Sequence, residues 1–166
     1  MPSVSQNKAI ADDLGDEVIQ FIPKTTNALK LTLYGAIFPS KKNSKLIAFN
    51  KKVNKPYIIS SPDYQKWALN TQILVIAWRQ EQKLKHGVKF PIESCALSAV
   101  IYYPDRRRRD LSNSIEGVND VLVASGVLKD DCWTNLNPLS IRGRISASKP
   151  RIELYISQPL QDEYSK

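Results

Sequence analysis

The chain has few of the residues from which several common kinds of site are built: two cysteines, one histidine and six glycines among 166 residues. The lone His86, with no second histidine or cysteine cluster near it in sequence, argues against a zinc centre. No glycine-rich phosphate loop and no serine in a nucleophile-elbow pattern is present. Cys95 and Cys132 are too few for a disulfide framework and suit a reducing compartment.

Long apolar runs are also missing. No stretch approaches the ~18 consecutive apolar residues that suggest a membrane span. The first residues show no basic segment followed by an apolar run, which is the pattern of a secretory signal. We therefore expect a cytoplasmic protein with no membrane partner.

Positive charge is what the chain has in excess, with 24 Lys and Arg against 16 Asp and Glu and a formal net charge of +8. This balance favours nucleic acid as a partner, while membrane surfaces and acidic proteins remain open at this point. Hydrophobic content of 42% and charged content of 24% are ordinary for a globular protein. The length suggests one domain with a single core.

The pattern of hydrophobic residues predicts an α+β fold, in the order strand, hairpin, helix, strand, helix, two strands. We expect a small mixed or antiparallel sheet packed against two main helices. Ser61, Pro62 and Asp63 are typical of a helix start, and Gly87 of its end. An aromatic stripe in this helix recurs at helical spacing and is predicted to face the core; its members are Tyr64, Trp67, Leu74 and Trp78. Residues 1–27 are locally acidic and are predicted to form an extension, 28–158 the main domain and 159–166 a tail.

A second helix is predicted from about Asp110 to Ser125. Its apolar residues recur at helical spacing, and Gly126 suits the left-handed position just past its end. The apolar positions are Leu111, Ile115, Val118 and Leu122.

Four consecutive arginines, Arg106–Arg109, stand directly before the carboxylates of this helix. Ser112, Glu116 and Asp120 recur every four residues, so they share a face. If these groups converge with Asp110 and Asp131, they offer the oxygen ligands that Mg²⁺ or Mn²⁺ prefers. The arginines would then neutralise phosphate charge beside a hydrolytic metal site.

Structural roles also explain the same residues at this point. Asp110 could be a helix cap, Asp120 a surface charge, Asp130 and Asp131 a turn, and the arginines a solvated strand end.

The stretch PDRRRRDLSNSIEGVNDVLVASGVLKDD, residues 104–131, resembles the signature of RusA-type Holliday junction resolvases, which are phage-associated endodeoxyribonucleases. The resemblance implies a homodimeric α+β protein that binds four-way DNA junctions. It also implies symmetric nicking of two strands with Mg²⁺ or Mn²⁺ held by aspartates. By position, Asp110 and Asp131 match catalytic aspartates, Arg109 a DNA-contacting arginine and Asn113 the asparagine of the motif.

Two positions depart from that signature. Ser112 stands where the family has a second aspartate, and Glu116 where it has a catalytic lysine. Our hypothesis is that Glu116 replaces the missing aspartate as a metal ligand, with Ser112 holding a metal-bound water. The alternative is a degraded site in a protein that binds branched DNA without cutting it.

Three sets of functional residues are therefore predicted. The catalytic residues are Asp110, Glu116 and Asp131, and the metal contacts are these three with Ser112. The nucleic-acid contacts are Arg106, Arg107, Arg108, Arg109, Lys41, Lys42, Asn43 and Asn113.

Overall fold

The computed structural model describes residues 28–35, 39 and 45–157 of the chain. The predicted extension 1–27, the tail 159–166 and the loop residues Lys41, Lys42 and Asn43 lie outside these ranges. The elements are β1 Leu29–Tyr34, β2 Lys45–Asn50, β3 Lys55–Ser60, α1 Pro62–His86, β4 Cys95–Tyr103, α2 Leu111–Ala124, β5 Leu136–Ile145 and β6 Arg151–Ser157. The predicted α+β class is confirmed.

The main sheet has four strands in the order β1, β6, β4, β5. β6 pairs antiparallel with both β1 and β4, whereas β4 and β5 are parallel. Parallel neighbours need a crossover, and α2 supplies it between β4 and β5. The last two strands, predicted as consecutive, are not hydrogen-bonded to each other, because β6 and β5 lie on either side of β4. β2 and β3 form a separate antiparallel hairpin.

One face of the sheet carries the core. Side chains alternate between the two faces of a strand, so every second residue points the same way. The buried apolar residues on this face are Leu31, Leu33, Leu97, Ala99, Ile101, Ile152, Leu154 and Ile156. The helices complete the core with Val75 from α1 and with Ile115, Val118, Val121 and Leu122 from α2. Both described helices therefore pack on one side. The alternate residues of the central strands form the second face, and Ala96, Val100 and Tyr155 on that face are buried as well.

Helix α1 begins and ends where its sequence signals predict. The Ser61 hydroxyl accepts a hydrogen bond from the backbone N–H of Tyr64 at 3.2 Å, and Gly87 takes the left-handed conformation at φ 67°. The aromatic stripe of α1 faces the core as expected, but Leu74, which we grouped with it, is 60% exposed. Val75, next along the helix, faces the core instead. Within the described residues, no helix is long and apolar enough to cross a membrane.

The two helices are in close contact at Gly117. A Cβ atom at this position would lie 3.2 Å from Tyr64 Cε2 and 3.3 Å from Trp67 Cζ3. Real side chains seldom pack that tightly, so the absence of a side chain lets the aromatic rings of α1 lie against the backbone of α2.

We predict that Gly117→Leu destabilises the protein by about 1–3 kcal/mol, because the added atoms must displace the two rings. The higher helix propensity of leucine offsets only ~1 kcal/mol of this cost. Urea unfolding followed by circular dichroism measures the change. Ala124→Leu, at the exposed last residue of the same helix, is the matched control and should change stability little. Equal stability of Gly117→Leu and the wild type would contradict the packing of these rings on α2.

Candidate functional site

Asp110 caps the N-terminus of α2. Its carboxylate accepts hydrogen bonds from the backbone N–H of Ser112 at 2.9 Å and from the Ser112 hydroxyl at 2.8 Å. A carboxylate here is favoured by the positive end of the helix dipole. Two of the predicted site residues are thus in direct contact, and Asp110 is exposed to solvent at the start of the helix. Asn113 lies half-buried in the same first turn.

Glu116 and Asp120 continue the acidic face of α2 towards α1, and both are half-buried. The Tyr64 hydroxyl donates a hydrogen bond to Asp120 Oδ2 at 3.3 Å. Burial, the charge of Asp120 and its hydrogen bond, and the charge of Glu116 together raise the pKa of Tyr64 to about 12. The sequence predicts only that Tyr64 faces the core. The helical periodicity of α1 does not reveal which side chains of α2 lie against this tyrosine.

Asp131 lies beyond the opposite end of α2. Leu128 forms a bridge with Ile92, just before β4 begins, and the Cys132 carbonyl accepts hydrogen bonds from the first residues of the β5 region. The 14 residues of α2 span about 20 Å at 1.5 Å per residue, and Asp110 stands before them. Asp110 and Asp131 therefore lie at opposite ends of the helix within one chain.

The expectation that these carboxylates converge on one point of a single chain is wrong. The crossover requires α2 to run back along the sheet, so the residues before the helix and those after it are at opposite ends. Across the described ranges, no group of three or more His, Cys, Asp and Glu side chains is placed to hold a metal ion. A single copy of the described chain does not fit the predicted metal set of Asp110, Glu116, Asp131 and Ser112.

Asp105 organises part of the arginine run. It pairs with Arg109 Nη1 through Oδ1 at 2.7 Å and with Arg107 Nη2 through Oδ2 at 2.8 Å. These hydrogen bonds, first from Arg109 and then from Arg107, hold the pKa of the Asp105 carboxyl well below its usual range. The Arg109 guanidinium also lies 5.0 Å from the centre of the Tyr103 ring. Arg106 and Arg108 are exposed to solvent beside this cluster.

All four arginines lie at the end of the sheet where β4 stops and α2 starts. The start of β6 and the end of β5 reach the same end, because β6 runs antiparallel to β4 and β5 parallel to it. We call this end the basic pole and define it by Arg106, Arg107, Arg108, Arg109, Arg144, Lys149 and Arg151. The opposite end carries Asp130, Asp131 and the ion pair of Lys129 with Glu93 at 2.5 Å.

A scan against protein-family models gives no match for this chain, and a search of curated proteins finds no significant relative. The resemblance of residues 104–131 to RusA-type resolvases therefore stays a prediction from the motif.

We predict that the tyrosine at position 64 ionises at a pH of about 12 in the folded protein. An unfolded tyrosine ionises near its ordinary pKa of ~10. The contribution of Tyr64 to folding stability is therefore fully present below pH ~10, and it is lost as the pH rises through the higher pKa of the folded state. Titration of tyrosinate absorbance in the wild type and in Tyr64→Phe should differ by one group of pKa about 12. A difference curve centred near pH ~10 would contradict the contact with Asp120.

We also predict that Asp110→Asn leaves the stability nearly unchanged, because asparagine caps helices as well as aspartate does. Asp110→Ala should cost about 0.5–2 kcal/mol, since the N–H group of Ser112 then loses its acceptor. Thermal unfolding of the two variants at neutral pH gives the comparison. An equal loss of stability in the two variants would mean that the negative charge of Asp110, rather than its hydrogen bond, stabilises this end of α2.

Proposed function

We propose that the protein is a metal-dependent endodeoxyribonuclease that acts on branched DNA as a homodimer, resolving Holliday junctions or related structures in recombination and repair. The observation that supports this most is the meeting of the basic pole with the start of α2. There, Arg106–Arg109 adjoin the carboxylate of Asp110 and its contact Ser112. A cationic surface beside acidic oxygens suits a phosphodiester that is first bound and then hydrolysed.

The separation of Asp110 from Asp131 bears directly on this proposal. If both hold one divalent ion, as the resemblance implies, they must come from different copies of the chain. In a two-fold symmetric dimer, Asp131 of the partner subunit would join Asp110, Ser112 and Glu116, and symmetry would create a second, equal site. These residues would hold Mg²⁺ or Mn²⁺, which supplies Lewis acidity towards the phosphoryl group. Two equal sites also suit a four-way junction, whose symmetry is two-fold.

An exposed apolar stripe on α1 supports the dimer. Leu69, Ile73 and Ile76 recur at i, i+4 and i+7 on the side of α1 that faces away from the core, and they are 60%, 60% and 37% exposed. A helix that is apolar on both sides normally has both sides covered. The hairpin of β2 and β3 adds Ile47 and Ile58, which are 81% and 67% exposed. Apolar surface of this kind is typical of protein–protein contact.

The arginines have separable roles in the proposed reaction. Arg109 and Arg107 are oriented by Asp105, so they meet a phosphate with less loss of side-chain freedom than unrestrained arginines would. Arg106 and Arg108 are exposed and supply long-range attraction. The cationic role of the family's lysine would then fall to this run rather than to Glu116.

The free thiols agree with a cytoplasmic location. Cys95 is buried, which raises its pKa to about 11 and keeps it in the unreactive thiol form. Cys132 is exposed and makes contacts with Thr134 and Asn135. An exposed thiol persists in a reducing compartment, so we place the protein in the cytoplasm.

A second candidate function is branched-DNA binding without cleavage. Asp110 has a structural role as a helix cap, and Asp130 Oδ1 accepts a hydrogen bond from the backbone N–H of Asp131. Structural roles of this kind, together with the serine at 112 and the glutamate at 116, are what a binding module derived from a nuclease would retain.

Cleavage of a four-way junction distinguishes the two functions. We predict that the wild type nicks the junction with Mg²⁺ or Mn²⁺, whereas Asp110→Asn and Glu116→Gln lose roughly 100-fold or more in rate. Both variants should bind the junction as the wild type does in EDTA, since each keeps its size and Asp110→Asn keeps the cap. If the wild type binds junctions but nicks them with neither metal, the protein is a DNA-binding module and the nuclease proposal is wrong. Full activity of Glu116→Gln would show that Glu116 is not a metal ligand.

Mixing of inactive variants tests whether the site is shared between subunits. Consider a dimer of one Asp110→Asn chain and one Asp131→Asn chain. If each site takes Asp110 from one subunit and Asp131 from the other, one site carries both substitutions and the other keeps all its carboxylates. Random exchange of subunits should therefore restore about a quarter of the wild-type nicking rate. The matched control mixes Asp110→Asn with Glu116→Gln, both of which belong to the same half of each site, and should restore nothing. No recovery in the first mixture would contradict a shared site.

A further inference from the structure

The hairpin of β2 and β3 concentrates positive charge at its turn. Residues 45–60 contain four lysines and no aspartate or glutamate, so the hairpin carries +4 of the formal net charge of +8. Lys51 and Lys52 lie in the turn and Lys55 directly follows it, and all three are exposed. We call residues 50–55 the lysine turn. Cationic charge of this density at the surface attracts a polyanion.

The hairpin is accessible to solvent on both of its faces. Ile47 and Ile58 lie opposite each other on one face, and Leu46 and Tyr57, which point to the other face, are 47% and 49% exposed. Neither face is therefore buried against the rest of the described chain. The isoleucine pair, which supports the subunit contact, lies three positions or about 10 Å before the last strand pair. The lysine turn is thus separate from this apolar part of the hairpin.

Two asparagines set the conformation of the lysine turn. Asn50 Oδ1 accepts a hydrogen bond from the backbone N–H of Lys52 at 3.0 Å. Asn54 adopts the left-handed conformation at φ 50°, which asparagine tolerates better than most residues do. The turn therefore presents its lysines in a defined arrangement before a partner binds, and less conformational freedom is lost on binding.

The shape and charge of the hairpin together fit the major groove of duplex DNA. This groove is about 12 Å wide and admits a ribbon of two β-strands, which lie about 5 Å apart. Lysines at the end of such a ribbon reach the phosphates along the walls of the groove. The exposed Val53 lies between these lysines in the sequence, and apolar side chains in the major groove contact thymine methyl groups.

Membrane surfaces and acidic proteins also attract lysine side chains. A segment that lies in a membrane interface needs an apolar face that enters the acyl boundary. Val53 is the one apolar side chain among residues 50–55, so the lysine turn offers no such face. An acidic protein would use the charge but does not require the ribbon shape.

We propose that the lysine turn grips a duplex arm of branched DNA, with Lys51, Lys52 and Lys55 on phosphates and Val53 in the major groove. The choice of DNA rests on the proposed function, to which this contact adds a surface that uses neither the arginine run nor the acidic face of α2. In a two-fold dimer each subunit contributes one hairpin, so two arms of a junction are held. Binding requires neither a metal ion nor cleavage.

The test is the salt dependence of the affinity for a fluorescently labelled duplex, measured by anisotropy in EDTA. Each phosphate contact contributes about 0.9 to the slope of log affinity against log salt concentration. The triple variant Lys51→Gln, Lys52→Gln, Lys55→Gln should therefore have a slope shallower by about 2–3. Its affinity at ~0.1 M salt should fall about tenfold or more. Replacement of the same three lysines by arginine keeps the charge and should keep the slope.

The matched control removes the same charge elsewhere, in the triple variant Lys83→Gln, Lys85→Gln, Lys89→Gln. Helix α1 starts just after the hairpin, and its 25 residues carry its end about 36 Å away. Charges that far from the bound arm are screened at ~0.1 M salt, so the slope should stay that of the wild type. All six lysines are exposed, and circular dichroism confirms that each variant is folded.

A wild-type slope in the lysine-turn variant would overturn the proposal, and so would an equal change in the control. Anionic vesicles test the membrane alternative. If the lysine-turn variant loses binding to phosphatidylserine vesicles but keeps its duplex affinity, the turn contacts a membrane and the proposal is wrong.

These outcomes are separate from those of the nuclease proposal. A shallower slope in the lysine-turn variant, from a wild type that nicks junctions with neither metal, supports this inference and rejects only the cleavage. Nicking of junctions together with an unchanged slope rejects only the lysine turn.

Discussion

The packing of α2 against the sheet determines where the charged groups of this protein lie. Val118 and Leu122 are fully buried between the sheet and α1, and Gly117 lets the rings of Tyr64 and Trp67 come within van der Waals distance of the helix backbone. The helix is the crossover between two parallel strands, so it must run back along the sheet for its whole length. The residues before the helix and the residues after it are thereby held about 20 Å apart.

This separation divides the charge of the chain between two ends. The arginine run, the start of β6 and the end of β5 meet at the basic pole, whereas Asp130, Asp131 and Glu93 lie at the other end. Opposite charges at the two ends of one copy favour association in which the acidic end of one subunit meets the basic pole of the next. The arrangement that keeps Asp110 and Asp131 apart within one chain is the reason why the proposed nuclease site requires a second copy.

Several candidate functional groups also have structural roles. Asp110 is both a helix cap and the carboxylate that directly follows the arginine run in the sequence, and Asp105 orients the guanidinium groups of Arg107 and Arg109. Such double roles explain why spacing alone left the alternatives open. A capping aspartate and a metal-binding aspartate produce the same sequence, and only the groups placed around them differ.

Local signals in the sequence determined the secondary structure well. The serine and proline at 61 and 62, the glycines at 87 and 126, and the apolar spacing of α2 predicted both helices with nearly correct ends, because caps and periodicity act over a few neighbouring residues. The composition and the arginine run predict a polyanion as partner, and this stays a prediction. The tertiary structure alone decided that Asp110 and Asp131 lie apart and that Tyr64 meets Asp120. These relations depend on strand order, register and the direction of a crossover, which join residues far apart in the chain and leave no local pattern in the sequence.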